Sequence, residues 1–339
     1  MPSSFKDNSN PVLVLANPSA GGGRAREALP SLRRFATRAR WNAEFQVAAN
    51  AEDLALRARE AAADGARQIF VLGGDGTFQV LLNAIELPSH VQLGILPAGG
   101  GNDLAASLGL PADPVESASL LMNGVSAFLD VAQASTADGN KRLYAGGGGV
   151  GLDAEAARYA GGAFRHLRGR SRYLLAAIRA LIGFHSIRVR VQFEPGGGEL
   201  RANVLVLSVL NTPSYGAGLR LAPAARPNDG CLDLVALEDL TLPEIVAALR
   251  SLVATGELGT RRVRRFAIRW VRIETDRPCL FHGDGEFLGP TPVEISVLPR
   301  AVSVLRPAVA RGSLVRDGRG DGGTGVVDLI LLGLLCVSL

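Results

Sequence analysis

The chain has 339 residues, 47% apolar and 20% charged, enough to bury a core of two domains and unlike the composition of a disordered chain. A net charge of +4 is too small to mark a nucleic-acid binder by itself. Cys231, Cys279 and Cys336 are far apart and odd in number, so they suggest neither a disulfide framework nor a metal-ligating pair and suit a reducing compartment. Met1–Asn10 is polar and lacks the apolar core of a signal peptide, so a cytoplasmic location is expected.

Val12-Leu13-Val14-Leu15 is continuously apolar, the pattern of a parallel strand covered on both faces. It runs into a polar, glycine-rich turn, Asn17 to Arg24, and then a helical stretch to about Arg40. Asn17 and Ser19 offer hydrogen bonds, Gly21 and Gly22 expose backbone N–H groups, and Arg24 can meet an anion. The alternative is a flexible loop. No Gly-Lys-Ser/Thr occurs, so this is not a Walker loop. A short strand over Phe45–Val47 and a helix over Ala51–Ala63 follow.

Ile69-Phe70-Val71-Leu72 repeats the buried-strand pattern and stops at Gly73-Gly74-Asp75-Gly76-Thr77, beyond which an amphipathic helix is expected. Strand, glycine turn and helix N-terminus together place N–H groups and a helix dipole where phosphate binds. The Asp75 carboxylate would stand beside that phosphate, able to hold Mg²⁺ or orient a nucleophile. The alternative is a tight turn with a solvated aspartate. A third strand, Gln92–Leu96, leads into Pro97-Ala98-Gly99-Gly100-Gly101-Asn102-Asp103. Three strands ending in glycine-containing polar loops would line one crevice at the carboxyl edge of an open sheet.

Past Leu129 the texture becomes strand-rich and alternating, as in Arg188-Val189-Arg190-Val191, with short connections that favour antiparallel pairing. Strands are expected over 128–131, 142–145, 187–193, 204–210, 232–237, 266–273, 293–297 and 302–305, with helices over about 153–184 and 242–255. Gly146–Gly151 fits Gly-x-Gly-x-x-Gly, but an acidic residue is missing about 20 positions on. These glycines therefore read as a tight loop against an interdomain cleft. Arg165–Arg172 with the apolar residues after it suits either an anionic membrane surface or a solvated basic face. In Gly283-Asp284-Gly285-Glu286 two carboxylates flank a glycine, either as a general-base site or as a β-hairpin turn. Residues 308–339 read as a disordered tail ending in the apolar run Val326–Leu339, too short to span a bilayer.

Together the stretches at Asn17–Gly22, Gly73–Thr77, Pro97–Asp103, Ala222–Gly230 and Asp284–Glu286 resemble, in order, the diacylglycerol kinase catalytic-domain family, which includes bacterial soluble lipid kinases and sphingosine kinases. The resemblance implies an NAD-kinase-like doubly wound α/β domain over 11–128 and an antiparallel β-sandwich domain over 129–307, with ATP and a lipid head in the cleft between them. It implies ATP as phosphate donor and Mg²⁺ as metal. Asn17, Ser19, Gly21, Gly22, Arg24, Gly73–Thr77, Gly99, Gly101, Asn102 and Asp103 would serve the nucleotide. Asp284 would be the general base, with Glu286 supporting it or taking that role and Asp75 completing the catalytic set. Asp229, with backbone groups near Arg226 and Cys231, would hold a structural Mg²⁺. The partner implied is a lipid at a membrane surface reached by peripheral contact, with no nucleic acid and with homodimerisation left open. Three departures bear on the nucleotide: Gly100 where threonine is usual, no threonine in Val47–Asn50 unless Asn50 substitutes, and Arg24 where lysine is commoner.

Overall fold

The computed structural model describes residues 10–163, 175–176, 179–180, 185–216, 218–255, 257 and 259–308. The basic segment Arg165–Arg172 and the tail beyond 308 lie outside the described residues.

The first 121 residues alternate strands and helices as their patterning requires. Strands β1 (Val12–Ala16), β2 (Ala43–Val47), β3 (Gln68–Gly73) and β4 (Gln92–Pro97) pair in parallel in the order β4-β3-β1-β2. Helices α1 (Ala20–Ala39), α2 (Ala51–Ala63), α3 (Asp75–Ala84), α4 (Asp103–Ser107) and α5 (Pro114–Leu121) cover the sheet. The central strands are apolar throughout because both faces are sealed: Val14, Leu15, Ile69, Val71, Leu72, Leu93 and Ile95 are all fully buried in one cluster with Leu32, Leu54, Phe78 and Leu81. Parallel strands with crossover helices bring every β-strand carboxyl end to one edge. Local signals set the helix starts. Asn50 accepts the Asp53 N–H at the head of α2, and Asp113 accepts those of Val115 and Glu116 at the head of α5. Asn50 is thereby committed to capping.

Beyond α5 the chain is mainly antiparallel: β5 (Val125–Thr136), β6 (Lys141–Tyr144), β7 (Gly147–Gly151), β8 (Ile187–Glu194), β9 (Gly198–Leu210), β10 (Leu232–Glu238), β11 (Val263–Ile268), β12 (Trp270–Thr275), β13 (Leu280–Gly283), β14 (Glu286–Pro290) and β15 (Val293–Arg306). Helix α6 (Leu152–Gly161) follows β7, and α7 (Leu242–Thr255) follows β10. The core here is a second cluster that includes Val150, Val191, Leu207, Leu234, Val271 and Phe281. The result is an α/β unit followed by a β-sandwich-like unit with mixed pairing. Hydrogen bonding is nonetheless continuous between them. One end of β15 pairs antiparallel with β12, its other end pairs parallel with β4 through Ser303 and Val304, and β5 accompanies it along most of its length. Residue 128 lies inside β5.

Several expectations are corrected. Gly147–Gly151 is a fully buried strand, not a loop. Phe266–Ile273 is two strands separated at Arg269, whose N–H is taken by the Glu194 carbonyl. The segments at 293–297 and 302–305 are one strand with an irregularity between Leu298 and Val302. The helix expected over 153–184 is described only as far as Gly161 in α6, and the rest falls mostly outside the described residues.

Candidate active site

Three loops meet at the carboxyl edge of the parallel strands. In the β1–α1 turn, Gly21, Gly22 and Gly23 all take positive φ, so regular helical geometry begins only after them. Asn17 ties this turn to the next: its Nδ2 donates to Thr77 Oγ1 at 3.1 Å, while its Oδ1 accepts from Ser19 Oγ at 2.7 Å and from the Ser19 N–H. The second and third turns touch backbone to backbone. A methyl group on Gly74 would stand 2.7 Å from Gly99 Cα, so both positions exclude a side chain. Asn102, at φ 60°, closes the third loop by accepting the Gly99 N–H at 2.7 Å and donating to the Gly99 carbonyl.

Arg24 sits behind these loops. Its Nε and Nη2 are buried without a hydrogen-bond partner. Unpaired guanidinium nitrogens cost free energy unless an anion meets them, and the neighbouring glycine turns offer the N–H groups that phosphate needs. This is the structural fit for a polyphosphate.

The carboxylates come from both units. Asp75 accepts the Leu104 N–H at 3.0 Å and the Asp103 N–H at 3.2 Å, bracing α4 against the second loop. Burial first, then the charges of Asp103 and Asp284, push its carboxyl up to about 7. Asp103 reaches the other way, accepting from Ser214 Oγ and the Gly218 N–H, both at 2.8 Å. The β13–β14 hairpin turn lies over Gly76: a methyl group there would be 3.5 Å from the Asp284 carbonyl and 3.8 Å from Glu286 Oε1.

The hairpin reading of Asp-Gly-Glu holds, since Asp284-Gly285 forms the turn between β13 and β14, and that turn faces Gly76 in the second glycine loop. Its two carboxylates are not equivalent. Asp284 accepts three backbone N–H groups, from Ala145 at 2.8 Å, Gly146 at 2.9 Å and Gly147 at 3.0 Å. Burial raises its carboxyl to about 6 in spite of those bonds. Glu286 has an exposed side chain at the mouth of the cleft, yet partial desolvation raises its carboxyl above the ordinary glutamate value.

The Asp229 loop is separate. Asp229 Oδ1 accepts the Cys231 N–H at 3.0 Å, and the next glycine, Gly230, donates to Asp130. Asp233 on β10 is pushed up to about 6 by burial and then by the charge of Asp229, with Arg265 opposing. Two mutually repelling carboxylates suit a cation. Among the described residues no three metal-ligating side chains gather, so an ion here would also need backbone carbonyls, such as that of Arg226, and water. Sequence reasoning missed Asp130, which is wholly buried and accepts from Gly230 N and Arg300 N at 2.6 and 2.7 Å. Its signal was a lone aspartate inside the apolar run Phe128–Ala132. His282 was missed for want of a neighbouring partner in the sequence.

Two family models match the chain: the diacylglycerol kinase catalytic domain over residues 11–134, and the YegS C-terminal NAD kinase beta sandwich-like domain over 148–306. The chain belongs to the diacylglycerol kinase catalytic-domain family. That places it among lipid kinases. It is 29% identical over 300 residues to a diacylglycerol kinase of Mycobacterium tuberculosis, covering 87% of this chain and 95% of that protein. It is 24% identical over 296 residues to a diacylglycerol kinase of Bacillus subtilis, covering 87% and 95%. The crystal structure of a diacylglycerol kinase from Bacillus anthracis superposes with a TM-score of 0.67 at 20% identity, over 88% of this chain and 97% of that one, which speaks to the fold alone. Among the described residues no helix is long and apolar enough to cross a membrane.

Proposed function

We propose that this protein is an ATP-dependent lipid kinase that transfers the γ-phosphate to a hydroxyl of a membrane lipid such as diacylglycerol, working in the cytoplasm with peripheral contact to the bilayer. The observation that carries this reading is the approach of Glu286 and the Asp284 backbone to Gly76, which sets a carboxylate-bearing hairpin against three glycine loops. The names and domain content of the relatives supply the lipid class.

In this reading the Asn17–Arg24, Gly73–Thr77 and Gly99–Asp103 turns bind the triphosphate through N–H groups and the Arg24 guanidinium. Mg²⁺, when bound, would offset phosphate charge; Asp75 and Asp103 are the carboxylates nearest to serve it in the cleft, and Asp229 suits a structural ion. Glu286 is the general base, because its carboxylate faces the cleft, whereas both Asp284 oxygens already accept backbone hydrogen bonds. Glu286 takes the proton from the lipid hydroxyl as that oxygen attacks the γ-phosphorus and the bond to the departing ADP breaks, and Asp284 holds the turn that aims it. Most of the remaining acceleration comes from positioning and electrostatics.

The test is phosphate transfer from γ-labelled ATP by purified protein over micelles of diacylglycerol, sphingosine and phosphatidylglycerol, with NAD in a lipid-free control. A labelled lipid is the expected result. Labelled NAD with unlabelled lipids would overturn the reading in favour of a soluble-substrate kinase.

A further inference from the structure

The hairpin that carries Asp284 and Glu286 has little backbone to hold it. Strand β13 is four residues long and pairs with β7 through only two positions, His282 with Gly149 and Gly283 with Gly148. Strand β7 is Gly-Gly-Gly-Val-Gly, with almost no side chains to interlock. Glycine-rich pairings specify register weakly, and a slip of one residue moves a strand by about 3.3 Å and turns its side chains to the other face. Register here must come from side chains as well. At the turn it comes from Asp284, whose carboxylate takes the N–H groups of Ala145, Gly146 and Gly147 and whose own N–H meets the Gly147 carbonyl at 2.8 Å. Along the strand itself it comes from a second anchor.

His282 supplies that anchor. Its imidazole is completely buried, with Nε2 2.9 Å from Tyr215 Oη and 3.5 Å from Asp153 Oδ2. Asp153 is itself fixed, Oδ1 accepting the Ala154 N–H and Oδ2 accepting from the buried Ser208 Oγ at 2.9 Å. The Tyr215 ring lies against the imidazole at an interplanar angle of 24°. The glycines of β7 make the room, since a side-chain carbon on Gly149 would collide with Asp153 Oδ2 and one on Gly147 would press on the Tyr215 ring. Tyr215 also follows Ser214, which donates to Asp103 in the α/β unit. A chain of contacts thus runs from Asp153 through His282 and Tyr215 to the loop that holds Asp103.

We propose that His282 is a positioning residue that pins the register of the Asp284–Glu286 hairpin on β7, and that its link to Tyr215 fixes this hairpin against the loop on Asp103. The inference deepens the assignment of Glu286 as base and rests on it. It has no part in binding the nucleotide.

The test replaces His282 with Phe, which fills the space without hydrogen bonding, and with Gln, which keeps a polar end. His282→Phe should lower kcat about tenfold to a hundredfold, the range expected for a displacement near 1 Å, with KM for ATP within twofold of wild type. His282→Gln should restore most of the loss. Tyr215→Phe should cause a similar fall, and the double variant should be no worse than the worse single one, as for two residues acting as a unit. Independently of turnover, His282→Phe should speed amide exchange at Ala145, Gly146 and Gly147 at least tenfold while leaving α3 unchanged. Unaltered kcat, exchange faster throughout the protein, or losses that multiply in the double variant would each overturn the proposal. If wild-type protein phosphorylates no lipid, the base assignment fails, and the exchange result alone decides whether His282 pins the hairpin.

Discussion

Asp75→Asn isolates the electrostatic strain stored in the cleft. The Asp75 carboxyl is raised from 3.8 to about 7 by burial and by the Asp103 and Asp284 charges. A folded-state pKa above the unfolded one means that the native protein holds the proton more tightly. The stabilisation from that proton is full below pH 3.8 and is lost as pH rises through about 7. At about 1.4 kcal/mol per pKa unit, the ionised group costs the fold roughly 4 kcal/mol at pH 8 and roughly 1 kcal/mol at pH 4.5. Asparagine removes that charge but keeps only one acceptor for the Asp103 and Leu104 N–H groups, a loss of about 1–2 kcal/mol. The variant should therefore be more stable than wild type by roughly 2–3 kcal/mol at pH 8 and equal or slightly less stable at pH 4.5. Thermal unfolding of both proteins at both pH values, with ATP and Mg²⁺ absent, should show the Tm difference changing by about 4 °C across that interval. A Tm difference independent of pH, or one favouring wild type at pH 8, would refute the assignment of a strained buried carboxylate.

Arg24→Met should raise Tm without ligand, because two buried unpaired nitrogens are replaced by an apolar side chain, and should weaken ATP binding at least tenfold, about 1.4 kcal/mol, by calorimetry. Unchanged affinity would remove Arg24 from the phosphate site. Gly74→Ala should cost about 1–3 kcal/mol in denaturant unfolding, since the added carbon meets Gly99 Cα at 2.7 Å and must push the adjoining loops away from each other. A wild-type denaturation midpoint would show that the loops are not in close contact.

The α/β unit was legible because its determinants are local. Continuous apolar runs such as Ile69–Leu72 mark strands sealed on both faces, and the breaks at Gly73 and Gly99 mark where they end. The site loops were legible for the same reason, as each motif is contiguous. What stayed hidden depends on distant regions of the chain. Gly147–Gly151 has the composition of a loop and becomes a strand because Asp153, Tyr215 and the His282 carbonyl occupy the space that side chains would fill. The different surroundings of Asp284 and Glu286 depend on the N–H groups of Ala145–Gly147, nearly 140 residues away in sequence. Arg269 divides an apparently continuous strand because the residues before it pair with β10 and those after it pair with β8 and β15. Asp130 and His282 act through partners no short window contains.

The most direct test of the account is single-turnover phosphate transfer from γ-labelled ATP to diacylglycerol in mixed micelles by wild-type protein and by Glu286→Gln, with ATP affinity measured on the same samples. The account predicts labelled lipid from wild type, a fall of about 10²–10⁴-fold in the variant, and ATP affinity within twofold. Equal transfer rates for the two proteins would contradict it.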